Sequence, residues 1–325
     1  MAATPRLAVI IPVFNEVANV APMVTRLDAA LAGIAWEAIF VDDDSPDGTA
    51  AAARAVAVHD TRVRCIRRIG RRGLASACVE GFLSTSAEFV AVIDGDLQHD
   101  EAILPAMLVA VEGGADLAVG SRHVGGGEAA GGFSAARGAL SDAGTRLARA
   151  LLPVPVADPM SGFFLLRRAL AEEVAPRLSA RGFKILLDIL LSARRPLRVV
   201  EVPYVFRARE RGESKLDATV LLEFGGLLLD KTTRGAVPLR FLSFAAVGAV
   251  GVLVHMAALG LLVGGLGMRF ALAQWGATIV AMTANFVLNN RITYRDARLR
   301  GAALWRGLAL FYLVSGVGAG ANVGI

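Results

Sequence analysis

Phe89-Val90-Ala91-Val92-Ile93-Asp94-Gly95-Asp96-Leu97-Gln98 is an apolar run that stops in two aspartates one residue apart. A short apolar run bounded by polar residues reads as a buried strand, here Glu88–Ile93 ending at Asp94. Two carboxylates so placed in a turn can both face one hard cation, which takes oxygen ligands. Surface turns also carry paired aspartates, so the pair gains its meaning from the sequence around it.

Outward from this run the pattern repeats. Leu7–Val13 is a β-branched run followed by helical spacing over Asn15–Leu31. Glu37–Val41 is a second strand, Thr49–Val58 an alanine-rich helix, Arg62–Arg67 a third strand and Gly73–Ser84 the next helix. Leu117–Gly120 and Leu197–Val202 read as further strands. Strands alternating with helices predict an α/β fold, in which ligands bind beyond the carboxyl ends of the strands. Those ends hold Pro12-Val13-Phe14-Asn15-Glu16, the cluster Asp42-Asp43-Asp44-Ser45-Pro46-Asp47-Gly48-Thr49, and the Asp94–Gln98 turn. No G-x-G-x-x-G follows the first strand, and neither G-x-x-x-x-G-K-[ST] nor G-x-S-x-G occurs. The phosphate cradles of NAD-type and P-loop proteins and the hydrolase elbow are therefore excluded. A metal at Asp94 and Asp96 would instead neutralise the charge that develops on a departing nucleoside diphosphate.

Of the 325 residues, 55% are hydrophobic and 19% charged, which excludes intrinsic disorder. Cys65 and Cys78 supply neither a disulfide framework nor a zinc site. The net charge of +5 is unevenly spread: residues 1–235 hold 27 Lys/Arg against 28 Asp/Glu, whereas the remainder holds seven Arg against Asp296 alone. An apolar tail with basic flanks points to a membrane and away from nucleic acid. Phe241–Met268, Phe270–Asn290 and Gly307–Ile325 are uncharged apart from their borders, and a span needs about 20 such residues. Leu7–Phe14 is too short for a signal peptide. Lys231, Arg234 and Arg240 before the first run, and Arg291, Arg295, Arg298, Arg300 and Arg306 between the second and third, place the N-terminal half in the cytoplasm.

Between the two halves, Leu221, Leu222, Leu227, Leu228 and Leu229 are interrupted by Asp217, Glu223, Asp230 and Lys231, so Leu216–Thr233 reads as a helix lying at the membrane surface. Gly260-x-x-x-Gly264 and Gly316-x-x-x-Gly320 suit close helix approach. His255, an ionisable residue inside the first run, is a functional candidate by default, with a hydrogen bond between helices as the more modest reading.

Taken in order, Pro12-x-x-Asn15-Glu16-x-x-Asn19, Asp42-Asp43-x-Ser45-x-Asp47-Gly48-Thr49, Asp94-x-Asp96-x-Gln98-His99 and Gly120-Ser121-Arg122 resemble the family-2 glycosyltransferases of GT-A fold. Ser161-Gly162-Phe163-Phe164 and Gly212-Glu213-Ser214-Lys215-Leu216 are similar to the polyprenyl-phosphate (dolichol-phosphate) mannose synthases among them. The tail, with Arg240-Phe241-Leu242 and Asn285-Phe286-x-Leu288-Asn289-x-Arg291-x-Thr293-Tyr294, resembles GtrA-like membrane domains. The resemblance implies a Rossmann-like GT-A domain over residues 1–215, surface amphipathic helices over 216–235 and an α-helical transmembrane domain over 236–325. GtrA-like domains usually have four spans, so a fourth is expected beyond the three runs seen here.

The same resemblance assigns roles. Pro12, Val13, Glu16 and Asp42 would line the donor nucleotide pocket, with Asp44 near the base and Asp94 closing on the ribose or metal. Asp94, Asp96 and Gln98 would bind Mg2+ or Mn2+ with the donor diphosphate, and Arg122, Arg137, Ser141, Arg209 and Lys215 would hold the phosphates of donor and acceptor. Guanidinium suits that last task, because a phosphate monoester carries about −1.5 to −2 charge at neutral pH and is bound bidentately. His99 and His123 are not read as essential bases. The expected reaction is inverting transfer of mannose from GDP-mannose to a polyprenyl phosphate in the membrane, with no nucleic-acid partner. The alternatives are a UDP-glucose or other UDP-sugar donor on the same lipid, and a non-catalytic membrane scaffold or lipid-linked-sugar flippase component. The intact Asp94, Asp96, Gln98, Arg122 and Arg209 weigh against the last.

Overall fold

The computed structural model describes residues 4–125, 128–129, 146, 148–179, 184–207, 226, 239–294 and 298–323. The chain divides into two units, Met1–Lys231 and Thr232–Ile325, each taken by itself below.

The first unit runs β1 (Leu7–Val13), α1 (Val20–Ala30), β2 (Trp36–Asp42), α2 (Thr49–His59), β3 (Val63–Arg67), α3 (Leu74–Leu83) and β4 (Phe89–Val92). It continues with α4 (Leu104–Glu112), β5 (Leu117–Ser121), β6 (Glu128–Ala129), β7 (Phe164–Arg167), α5 (Arg168–Val174), α6 (Ile185–Ser192), β8 (Val199–Pro203) and β9 (Val205–Phe206). Seven strands form one sheet in the order β3-β2-β1-β4-β7-β5-β8, and β6 pairs with β9 apart from it. All neighbours in the large sheet are parallel except β7, which runs antiparallel between β4 and β5.

Successive side chains of a strand point to opposite faces, and β1 divides accordingly. Val9, Ile11 and Val13 pack with α1 and α4 residues such as Met23, Leu27, Met107 and Val111. Ala8 and Ile10 pack with Cys78 and Phe82 of α3 and with Leu170 and Ile189 of α5 and α6. Ile10 and Ile11 are both fully buried, and burial of such a side chain is worth roughly 1.5–3 kcal/mol. Helices thus cover both faces, the arrangement a mostly parallel sheet requires.

Two features depart from the sequence reading. The helix expected from Asn15 begins at Val20, after a 3-10 turn over Val17–Asn19. The N–H groups of Asn15, Glu16 and Val17 are instead given to Ser45, Thr49 and Asp47 of the next loop. Strand β7 was hidden because only four residues separate its start from the helix at Arg168, too few to show a period.

In the second unit, α7 (Leu239–Gly260) runs into a π-helical turn over Leu261–Gly265, and α8 (Phe270–Leu288) into another over Asn289–Thr293, before α9 (Ala302–Val323). Phe244–Gly265 and Phe270–Thr293 are long and apolar enough to cross a membrane. Helix α9 starts at Ala302, earlier than the run from Gly307, because helical hydrogen bonding carries on through Trp305 and Arg306, residue types that tolerate a membrane border. The close approach of α7 and α8 comes at Gly251, where an added Cβ would meet Asn285. At Gly260, Gly264 and Gly316 such an atom has no neighbour within 4 Å among the described residues, so the Gly260/Gly264 pair is not the contact, while the surroundings of Gly320 lie outside what is described. The region of Gly260 and Gly264 is where α7 gives way to its π-turn and leaves the regular helix face. His255 makes no hydrogen bond among the described residues. The stretch Leu216–Thr233 lies outside them apart from Gly226.

Candidate active site

Strands β1, β2, β4 and β5 all point the same way, so their carboxyl ends share one edge of the sheet. Pro12, Val13 and Glu16 stand at the end of β1, Asp42 and Asp44 at the end of β2, Asp94, Asp96 and Gln98 after β4, and Arg122 after β5. Arg137, Ser141, Arg209 and Lys215 lie outside the described residues, as does the Gly212–Leu216 motif.

The first two loops are stitched together. Asn15 N donates to Ser45 Oγ at 3.0 Å, Glu16 N to Thr49 Oγ1 at 3.0 Å and Val17 N to Asp47 Oδ2 at 3.1 Å. Asp42 is fully buried and accepts from both the backbone N and the hydroxyl of Ser45. Its carboxylate therefore fixes the loop from beneath. Asp43 pairs with the buried Arg68 at 2.7 Å and accepts from Gly73 N at 2.6 Å. Asp44, with φ of 60°, turns outward to Arg67, whose Nη2 is 2.6 Å from its carboxylate. The Arg67 guanidinium holds the Asp44 carboxyl below the usual carboxylate range. Arg72 lies over the Phe14 ring at 4.2 Å.

The turn after β4 is fastened at Asp94, Asp96, Leu97 and Gln98. Gln98 N donates to Asp96 Oδ1 at 3.2 Å, and Arg26 Nη1 donates to the carbonyl of Leu97, a residue with φ of 62°. Gln98 Nε2 donates to Arg207 O at 3.1 Å, which makes the amide carbonyl the end able to act as a ligand. Arg207 binds this turn by three further contacts, to His99 O, Glu101 and Asp100, at 2.7–3.1 Å. Asp94 receives His99 Nε2 at 3.1 Å, and its side chain is 34% exposed.

Across the edge, Arg122 reaches the buried Asp158 at 3.3 Å and stacks over Phe206 at 4.9 Å. Half-buried Lys184 shares this neighbourhood. Burial pushes its ammonium pKa down and the Arg122 cation adds to that, while Asp158 and Asp94 pull the other way. Arg122 thus pairs with Asp158, and the charges of Arg122, Asp158 and Asp94 all reach Lys184, a charge pattern suited to a ligand with several phosphate oxygens.

Lys184, Asp158, Tyr204, Phe206 and Arg207 were not foreseen. A signal existed for three of them: Tyr204, Phe206 and Arg207 directly follow a recognised strand on the same sheet edge, where the reading of the other strand ends applied equally. Asp158 stands three residues before the Ser161 motif, which was seen. Lys184 carries no local pattern.

Residues 8–175 match Glycosyl transferase family 2, and residues 243–325 match the GtrA/DPMS transmembrane domain. A dolichol-phosphate mannosyltransferase of Pyrococcus furiosus is 36% identical over 319 residues, covering 98% of this chain and 88% of that protein. One from Mycosarcoma maydis is 35% identical over 73% of this chain and 83% of its own length. The polyprenol monophosphomannose synthase of Mycolicibacterium smegmatis is 34% identical over 68% of this chain and 84% of its own. Among solved structures, glucosyl-3-phosphoglycerate synthase from Mycobacterium tuberculosis, in complex with Mn2+, UDP-glucose and phosphoglyceric acid, superposes with a TM-score of 0.55. At 20% identity over 73% of this chain and 81% of that one, it shares the fold. The transmembrane family and the two apolar helices mark a membrane-associated protein. With similarity running through both units, the chain belongs to the family-2 glycosyltransferases, among those that join a GT-A catalytic domain to a GtrA/DPMS transmembrane domain.

Proposed function

We propose that the chain transfers mannose from GDP-mannose to the phosphate of a polyprenyl, dolichyl-type lipid at the cytoplasmic membrane face, inverting the sugar's anomeric configuration. One observation carries this reading: the acidic turn Asp94–Gln98 after β4 and the Arg122–Asp158 pair after β5 stand at one edge of the sheet. They do so in a chain whose 36%-identical relative is named for mannosyl transfer to dolichol phosphate. Residues 1–215 are the catalytic domain, 216–235 the interface segment and 236–325 the membrane domain. The arginines flanking the apolar runs support the cytoplasmic side.

The donor set at the turn fits Mg2+ or Mn2+. Asp94 and Asp96 offer carboxylates and Gln98 an amide carbonyl, all hard oxygen ligands. Among the described residues no three His, Cys, Asp or Glu cluster to hold a metal, so the remaining ligands would come from the donor diphosphate and water. When bound, the cation supplies neutralisation of the charge that grows on the leaving diphosphate.

The protein's own residues do the positioning. Pro12, Val13, Glu16, Asp42 and Asp44 frame the nucleotide, and Arg122 takes a phosphate with its guanidinium held by Asp158. Arg137, Ser141, Arg209 and Lys215 share with Arg122 the phosphates of donor and acceptor. That acceptor is already ionised at neutral pH, so its oxygen attacks the sugar C1 without a general base. The new bond forms between the lipid phosphate oxygen and C1 as the bond from C1 to the donor β-phosphate oxygen breaks, and GDP leaves. Alignment of the two phosphates, rather than proton transfer, is the work of the site.

The test is transfer by the full chain in detergent. Radiolabelled GDP-mannose, UDP-glucose and UDP-N-acetylglucosamine are each offered with a polyprenyl phosphate and Mg2+ or Mn2+, beside Asp96→Ala. Mannose in the lipid fraction, lost in the variant, is the expected result. Transfer from a UDP-sugar would keep the chemistry and replace the donor, and transfer from none would overturn the reading.

A further inference from the structure

His99 is a buried, ionisable side chain that the reaction above does not use. It is 3% exposed and sits in an aromatic cage, its ring centroid 5.2 Å from Phe163, 5.6 Å from Tyr204 and 5.3 Å from Phe206. Its Nε2 lies 3.1 Å from Asp94 Oδ2 and its Nδ1 2.7 Å from the Tyr204 hydroxyl. Its backbone is held as well, by Arg207 Nη1 donating to its carbonyl at 3.1 Å.

The partners dictate the tautomer. An ionised carboxylate only accepts, so Nε2 carries the proton. In a neutral imidazole the other nitrogen is then an acceptor, and Tyr204 O–H donates to it. Burial raises the Tyr204 pKa, which keeps that hydroxyl protonated. The result is a directed chain from Tyr204 O–H to Nδ1 and from Nε2–H to Asp94 Oδ2. It ends on a carboxylate whose side chain is 34% exposed, while that of His99 is 4% exposed. A carboxylate on such a turn would otherwise swing among rotamers; here one oxygen is committed inward and Oδ1 is the oxygen not committed to His99.

We infer that His99, backed by Tyr204, is a positioning residue that presents the Asp94 carboxylate to the donor diphosphate and its divalent cation. This rests on the reading of Asp94 given under Proposed function. A histidine that merely filled the aromatic cage would be needed for its volume, whereas a positioning histidine is needed for its Nε2–H.

The discriminating variants are His99→Gln, whose amide N–H reaches about where Nε2 stood, and His99→Asn, whose shorter amide reaches only the place of Nδ1. Tyr204→Phe keeps the ring in the cage, removes the hydroxyl and leaves Nδ1 without its donor, so that the carboxylate alone holds the imidazole. The full chain in detergent is titrated with Mn2+ in the presence of GDP, following the electron paramagnetic resonance of free Mn2+, and the KM for GDP-mannose is measured beside it. Loss of a residue that orients a metal ligand typically costs about 10–100-fold in affinity, so His99→Asn should weaken Mn2+ binding by about tenfold or more. KM should rise in step, His99→Gln should stay near the wild type, and Tyr204→Phe should fall between. Unchanged Mn2+ affinity in all three, with only the thermal midpoint moved, would overturn the inference, and so would Gln and Asn variants that are equally weak. If His99→Asn does not fold, Tyr204→Phe decides, since its packing is intact. A wild-type chain that takes no Mn2+ beside GDP would overturn the cation reading itself, a failure distinct from normal binding that the variants leave unmoved.

Discussion

Gly162 faces the Asp94 carboxylate so closely that a β-carbon on it would stand 2.6 Å from Asp94 Oδ2. Gly162 is not among the glycines with positive φ, so the requirement for glycine comes from this contact and not from the backbone. In Gly162→Ala the carboxylate must move, and Oδ2 then leaves the buried His99 Nε2, an unsatisfied donor that should cost about 1–3 kcal/mol of stability. On the role proposed for Asp94 toward the cation, its displacement should lower kcat/KM for the donor by about tenfold or more. The thermal midpoint should fall by the few degrees that this loss implies. Steady-state kinetics beside a melting curve reads both, and unaltered kinetics would mean that the place of Asp94 does not matter to the reaction.

Arg122 makes two contacts that only a planar guanidinium can make together, the ion pair to Asp158 and the stack on Phe206. Arg122→Lys keeps the charge and loses the fork, and should cut kcat/KM by about a hundredfold, in line with loss of an electrostatic transition-state contact. Arg122→Ala also strips the buried Asp158 of its cation, which should cost about 1–3 kcal/mol of stability. Removing Asp158 as well, in Arg122→Ala/Asp158→Ala, should restore stability and leave activity low, so that the two roles separate in one double-mutant cycle.

How much of this was legible in the sequence follows from which groups act locally. The strands showed because runs such as Leu7–Val13 and Phe89–Val92 are buried on both faces, and burial writes itself as continuous apolar sequence. The acidic turn showed because both aspartates stand beside each other in the chain. What did not show was non-local. Asp158 and Arg122 are 36 residues apart, and His99 and Tyr204 are 105 apart. Only the placing of antiparallel β7 between β4 and β5 brings such segments to one edge. Gly251 and Asn285 likewise meet through helix packing, which is why the nearer-spaced glycines at 260 and 264 drew attention that belonged elsewhere.

Away from the site, Asp116 anchors β5 to the segment before β8. Arg195 grips its carboxylate with two hydrogen bonds at 2.8 and 2.7 Å, and Arg198 N adds a third at 2.8 Å. Above all the Arg195 bonds, and then the backbone bond from Arg198, hold its pKa at about 2. The unfolded value is about 3.9, so this is a depressed carboxylate. Its stabilisation is fully present above the unfolded value and is lost as pH falls through the folded one. Because Arg195 is itself more than half exposed, the contribution is about 1–2 kcal/mol after screening. Asp116→Asn should therefore lower the thermal midpoint at neutral pH, and the gap to the wild type should close as the pH is taken from about 4 to about 2.

Among the described glycines of the membrane unit, Gly251 of α7 stands closest to a neighbouring side chain, that of Asn285 on α8. A β-carbon on Gly251 would lie 2.2 Å from Asn285 Oδ1 and 2.5 Å from Nδ2. That Oδ1 is buried and has no hydrogen-bond partner among the described residues, so packing holds the amide in place. Overpacking of this kind costs about 1–3 kcal/mol. Gly251→Ala should accordingly speed hydrogen exchange of the α7 and α8 amides by about tenfold to a hundredfold. Asn285→Ala removes an unsatisfied buried acceptor and leaves a small gap, two effects of opposite sign that should nearly cancel. In that background the alanine at 251 meets no amide, so the double variant should exchange close to the wild-type rate. If Gly251→Ala costs as much with Asn285 absent as with it present, the glycine is required by the helix backbones themselves and the amide is a bystander.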